Sequence, residues 1–193
     1  MKYSRALIII PLALAPVVVA ALTSKPGKAG EEAKVQRGKY LVEAGGCTDC
    51  HTPHIMGPRG PEADNTRYLA GHPEDAKLPP PPVLPQGPWC AVTTGSTAWS
   101  GPWGISYSAN LTPDVNTGLG IWTEEIFVNA MKSGKHFGTS RPILPPMPWQ
   151  SVGNLNDGDI KAIFAFLRTI PAVTNHVPDA VAPGQTALRN PYE

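Results

Sequence analysis

Three capped helical segments set in long proline- and glycine-rich stretches predict a small, mainly helical domain with extended irregular connections. Composition points the same way: 23 prolines and 19 glycines among 193 residues leave little continuous regular structure and imply long loops. Patterning supplies the second observation, because apolar residues recur at helical spacing in three windows that carry cap residues at their ends. A chain of this length with 41% hydrophobic side chains can bury one core, or one core plus a sizeable insertion. Sixteen basic residues face 15 acidic ones. No basic face of the kind that binds nucleic acid is present.

In chain order, Lys2 and Arg5 precede an apolar run from Ala6 to Leu22 that Pro11 and Pro16 interrupt. That is the pattern of an export segment. Its 17 residues span roughly 26 Å as a helix, short of the ~30 Å hydrocarbon core. Residues 1–21 therefore suit a cleaved signal peptide better than a retained N-terminal membrane anchor, and both readings stay open. Either one places the rest of the chain outside the cytoplasm, in the periplasm or on the outer face of the cytoplasmic membrane. Residues 22–30 read as a flexible polar tether.

The first helix is expected from about Glu31 to Ala44. Two glutamates sit at its positive end and Gly45-Gly46 stop it. Val35, Gly38, Leu41 and Val42 share one face, and Gly38 is expected to permit a close helix crossing. Directly after it comes Cys47-Thr48-Asp49-Cys50-His51, the attachment signature of a c-type haem. In this reading each cysteine sulfur bonds one vinyl edge of the porphyrin. The histidine beside the second cysteine is thereby carried under the iron as an axial ligand, so Cys47, Cys50 and His51 are the candidate cofactor residues. A zinc half-site lacks partner ligands at suitable spacing. A thioredoxin-type redox pair lacks its βαβ context, and a plain Cys47 to Cys50 disulfide is the remaining rival.

Thr52 to Pro88 holds His54, Met56, His72 and a run of four prolines at 79–82, expected as a stiff strap over the domain. Gly57-Pro58 is expected to bring a backbone carbonyl to Nδ1 of His51, fixing its tautomer. Trp89, Trp99, Trp103 and Tyr107 suit a pocket wall in an irregular insertion over about 59–109. Cys90, left without a partner, reads as a small buried hydrophobe, against an intermolecular disulfide or a reactive thiol.

A second helix starts at Trp122-Thr123, capped by Thr123, and ends near Ser133-Gly134. Ile126, Phe127, Ala130 and Met131 form its apolar spacing, which makes Met131 a core residue. The third is capped by Asn156 with Asp159 at its third position and stops at Ile170-Pro171. Its stripe of Ile160, Ile163, Phe164 and Leu167 is expected to cross the first helix near Gly38. Between these two helices lies Pro145-Pro146-Met147-Pro148. A methionine flanked by prolines cannot sit inside a helix, and a stiff loop limits the conformations its thioether samples. Met147 is therefore the candidate second axial ligand, with a core gap-filler as the plainer role and His136 or His72 as rival ligands.

These stretches together resemble class I cytochromes c, in particular the haem domains of cytochrome subunits of bacterial membrane-bound dehydrogenases. The likeness rests on Gly38 to Pro53, Asn110 to Glu125, Pro145 to Trp149 and Asp159 to Arg168. It implies an all-α fold wrapped around one covalent haem c over 31–178, followed by a tail over 179–193. Cys47, Cys50 and His51 are then attachment and proximal positions, with Met147 distal. It further implies an electron carrier rather than an enzyme, exchanging electrons with a dehydrogenase, a quinol oxidoreductase or a terminal oxidase. The alternative is a haem enzyme or gas sensor with an open sixth position.

Overall fold

The computed structural model describes residues 27–82, 87 and 89–185. The expected leader over 1–21, residues 83–86 and 88 of the proline-rich stretch, and residues 186–193 lie outside that range.

Five α-helices and five short strands make up the regular structure of the described residues. The helices are α1 (Lys28–Ala44), α2 (Cys47–His51), α3 (Glu124–Ser133), α4 (Trp149–Gly153) and α5 (Asp157–Leu167). The strands β1 (His54–Gly57) and β2 (Gly60–Ala63) form an antiparallel hairpin. A second antiparallel sheet has the order β3-β4-β5, from Ala91–Val92, Ala98–Gly101 and Gly104–Tyr107. The expectation of an all-α domain is corrected here: the fold is mixed helix and sheet, and the insertion expected to be irregular over about 59–109 contributes β2 to β5, with β1 just before it. Strands of two to four residues are too short to show a period of two above the background of turn residues.

The helical core forms through local caps and one close crossing. α1 starts at Lys28, one turn before the expected Glu31, and Gly45 closes it at the expected point. Thr123 caps α3, its side chain accepting from the Ile126 amide. At α5 the Asn156 side chain accepts from the Asp159 amide at 2.9 Å and donates to its carboxylate at 2.9 Å. α1 and α5 cross at Gly38, where an added Cβ would lie 1.8 Å from the carbonyl oxygen of Ala162 and 2.9 Å from Phe166 Cβ. Glycine is what allows two backbones to approach this closely. Val42, Phe127, Met131, Ile160, Ile163, Phe164 and Leu167 are among the buried residues at the centre.

Polar ties hold the helices in register. Arg37 grips the Asp159 carboxylate with two hydrogen bonds, at 2.8 and 3.1 Å. Glu124 on α3 pairs with both Lys34 on α1 and Lys161 on α5. The segment after α5 is pinned by Asn175, whose amide donates to Ala70 O and His72 O and whose oxygen accepts from the Glu74 amide. Residues Leu78 to Pro82 are exposed and without regular structure. Among the described residues no helix is long and apolar enough to cross a membrane.

Candidate functional site

The site begins at the junction of α1 and α2. Gly46 takes the left-handed conformation, φ 69°, which costs glycine nothing and turns the chain sharply between the two helices. α2 is a single turn that contains the whole Cys47 to His51 motif. Both thiols are partly buried and unpaired, so the disulfide reading is not realised. Burial raises the Cys47 pKa, and it raises that of Cys50. Before any attachment both groups are therefore neutral thiols at pH 7.

His51 is buried, 8% exposed. Its Nδ1 donates to the carbonyl oxygen of Ala109 at 2.8 Å. Because a carbonyl only accepts, the proton sits on Nδ1 and Nε2 keeps its lone pair for a metal. Burial lowers the His51 pKa, opposed by the Ala109 carbonyl, so the ring is neutral at pH 7 and competent to coordinate. The expected source of that carbonyl, the Gly57-Pro58 turn, is corrected: those residues belong to the hairpin of β1 and β2, and Ala109 reaches in from 58 positions away.

Met147 is half-buried and packs against the same core cluster as Cys47. Its loop is held at Pro145, whose carbonyl accepts from Ser106 Oγ at 2.6 Å, and the Pro145-Pro146 bond is cis. The rival histidines are occupied elsewhere. His72 is bonded to Thr97 Oγ1 at 2.9 Å and packs on Tyr107. His136 packs edge-on against Trp122 and Phe137. Met56 is 78% exposed on β1. Cys90 is exposed rather than buried, and Trp89 beside it is exposed as well. An exposed Trp89 does not line a pocket.

The donor set fits a covalent haem and does not fit a protein-only metal site. Two adjacent thiols and one tautomer-fixed imidazole stand on one turn, while no group of three or more His, Cys, Asp or Glu able to hold a metal ion occurs among the described residues. The sequence did not reveal Ala109, nor Ser108, whose hydroxyl donates to Cys50 O at 2.5 Å. Ser106 and Ser108 alternate with Ile105 and Tyr107, a period-two signal. The serines are the buried set, the reverse of what polarity alone predicts.

Comparison with known proteins agrees with this chemistry. The cytochrome c family matches residues 35–171, and the chain belongs to that family. Covalent haem c and electron transfer follow from this membership. The chain is 28% identical over 186 residues to the gluconate 2-dehydrogenase cytochrome c subunit of Pantoea cypripedii, covering 95% of this chain and 33% of that one. It is 28% identical over 159 residues to the fructose dehydrogenase cytochrome subunit of Gluconobacter japonicus, covering 82% and 26%. The cytochrome c subunit of the quinone-dependent alcohol dehydrogenase of Gluconobacter oxydans is 28% identical over 137 residues, covering 70% and 21%. The chain thus spans a third or less of the length of these relatives. Those relatives are, by name, cytochrome subunits, and the matched domain is an electron-transfer module.

Proposed function

We propose that the chain carries one haem c, bonded through thioethers at Cys47 and Cys50, with His51 Nε2 and the Met147 thioether as axial ligands. In this reading it passes electrons between exported or membrane-bound redox proteins. The observation that carries the proposal is the His51 Nδ1 to Ala109 O hydrogen bond, which leaves the lone pair of the opposite ring nitrogen free for a metal, on the turn that bears both cysteines. When bound, the haem supplies one-electron exchange between ferric and ferrous iron. The chain's own contribution is retention, a fixed imidazole and a stiff thioether loop that favours the ferrous state.

The relatives' names, gluconate and fructose dehydrogenase cytochrome subunits, support a dehydrogenase as the electron donor. A quinol oxidoreductase or terminal oxidase is the proposed acceptor, met through a brief contact below ~1,200 Å². Residues 1–21 are proposed as the export signal or anchor that delivers the domain to the periplasmic side of the membrane.

The test is a redox titration followed in the visible spectrum, with carbon monoxide added to the ferrous protein. Wild type is expected to bind it slowly or negligibly. Met147→Ala should bind it rapidly, with a lower midpoint potential. An unchanged spectrum and potential in Met147→Ala removes that residue from the iron. Rapid stoichiometric binding by wild type replaces the carrier with an open-site enzyme or sensor.

A further inference from the structure

The segments that bear the two proposed ligands meet the same short stretch of chain. Ser106, on β5, donates from Oγ to Pro145 O at 2.6 Å, two residues before Met147. Ser108 donates from Oγ to Cys50 O at 2.5 Å, and the next residue supplies the carbonyl that fixes His51. Ser106 on β5 and Ser108 just past its end, where the Ser108 amide still bonds Thr97 O at 2.9 Å, lie two apart and so share a face. Both are buried, 6% and 5% exposed. Four consecutive residues therefore touch the thioether loop at one end and the haem-attachment turn at the other.

The Ser106 hydroxyl is also aimed. It accepts from Trp103 Nε1 at 3.1 Å, which leaves its own proton for Pro145 O and polarises the O–H group. Trp103 is in turn held over Gly101, where an added Cβ would meet the indole ring at 2.6 Å. The loop it secures has few donors of its own, because prolines at 145, 146 and 148 carry no N–H. Such a loop depends on donors from outside to fix its place.

We propose that Ser106, oriented by Trp103, is a positioning residue for Met147. The insertion sheet then sets how firmly the sixth ligand is held, and the residues just past β5 tie that loop to the His51 side. This rests on the reading of Met147 as ligand. Removing the hydroxyl frees the Pro145 carbonyl and lets the loop sample more conformations, so external ligands enter more readily and the ferrous state loses part of its advantage.

The experiment uses the holo-cytochrome. Carbon monoxide binding to the ferrous form and imidazole binding to the ferric form are timed, and the midpoint potential is measured, in Ser106→Ala, Ser106→Thr, Trp103→Phe and Met147→Ala. Thr97→Val, which removes a buried hydroxyl of the insertion that bonds His72 and not the Pro145 loop, serves as the comparison for general loosening. Ser106→Ala should bind both ligands about three- to tenfold faster, the range one net hydrogen bond commands, with a lower potential. Trp103→Phe should shift the same way by less, and Ser106→Thr, which keeps the hydroxyl, should return toward wild type. Rapid entry in Met147→Ala with wild-type rates in Ser106→Ala overturns the positioning role and leaves Met147 as ligand. An equal rise in Thr97→Val also overturns it, since loosening of the insertion then suffices. No change in Met147→Ala overturns the ligand reading itself.

Discussion

Replacing Gly38 by alanine tests the helix crossing on which delivery of the cysteines depends. The new Cβ would stand 1.8 Å from Ala162 O, 2.5 Å from Ala162 C and 2.9 Å from Phe166 Cβ. Two of these are backbone atoms of α5, so no rotamer change relieves the contact. Ordinary contact begins near 3.4 Å, so the helices must part by about 1.6 Å along that line. Overpacking of this kind costs about 1–3 kcal/mol, and the expected cost lies at the upper end because both partners are rigid. Alanine returns up to about 1 kcal/mol through its better helix propensity. The net expectation is a loss of about 2 kcal/mol, or about 4 to 8 °C in Tm for a domain of this size. Parting α1 from α5 also moves Gly45-Gly46 and the α2 turn behind them, so the yield of haem-loaded protein should fall. Thermal unfolding of the ferric holo-protein, followed in the far-ultraviolet and in the haem band, measures both. A Gly38→Ala protein as stable as wild type, with full haem loading, would refute the close crossing.

Three other outcomes follow from the same geometry. Asn175→Ala strands the Ala70 and His72 carbonyls and the Glu74 amide; at about 1–3 kcal/mol per buried group left unpaired, urea unfolding should show a loss of about 3 kcal/mol or more. Asn156→Ala removes the α5 cap and should cost about 1 kcal/mol, whereas Asn156→Ser, which keeps a capping oxygen and adds no charge beside Asp159, should keep most of it. His72 has its pKa pushed down to about 4 by burial, with the Asp75 carboxylate opposing. The unfolded chain therefore binds a proton between pH 6.5 and 4 that the folded chain refuses, and stability falls as the pH drops through that window. At ~1.4 kcal/mol per unit, discounted for partial screening, the loss is about 2 kcal/mol. His72→Gln should flatten that part of the pH profile, and parallel profiles for the two proteins would contradict it.

How much of this was legible in the sequence depends on the range of the interaction. Thr123 and Asn156 announce helix starts because a cap bonds an amide within three residues. Gly38 was readable because the helix that bears it ends just before the cysteines and must deliver them to a fixed place. Ala109 was not, since any residue supplies a carbonyl and this one comes from far along the chain. The two sheets escaped because their strands are short and because Ser106 and Ser108, polar residues, occupy the buried face. Cys90 was expected to be buried because a free thiol packs as a small hydrophobe, but its neighbour Trp89 is itself exposed, so no apolar enclosure forms around it.

The central claim is that Cys47 and Cys50 carry one haem between them. Mass spectrometry of the peptide spanning residues 45–59, cut from the chain purified from its native membrane or periplasmic fraction, measures this directly. The account predicts a single haem mass on that peptide, with neither cysteine open to alkylation while Cys90 reacts. A peptide of unmodified mass with both thiols alkylated would contradict it.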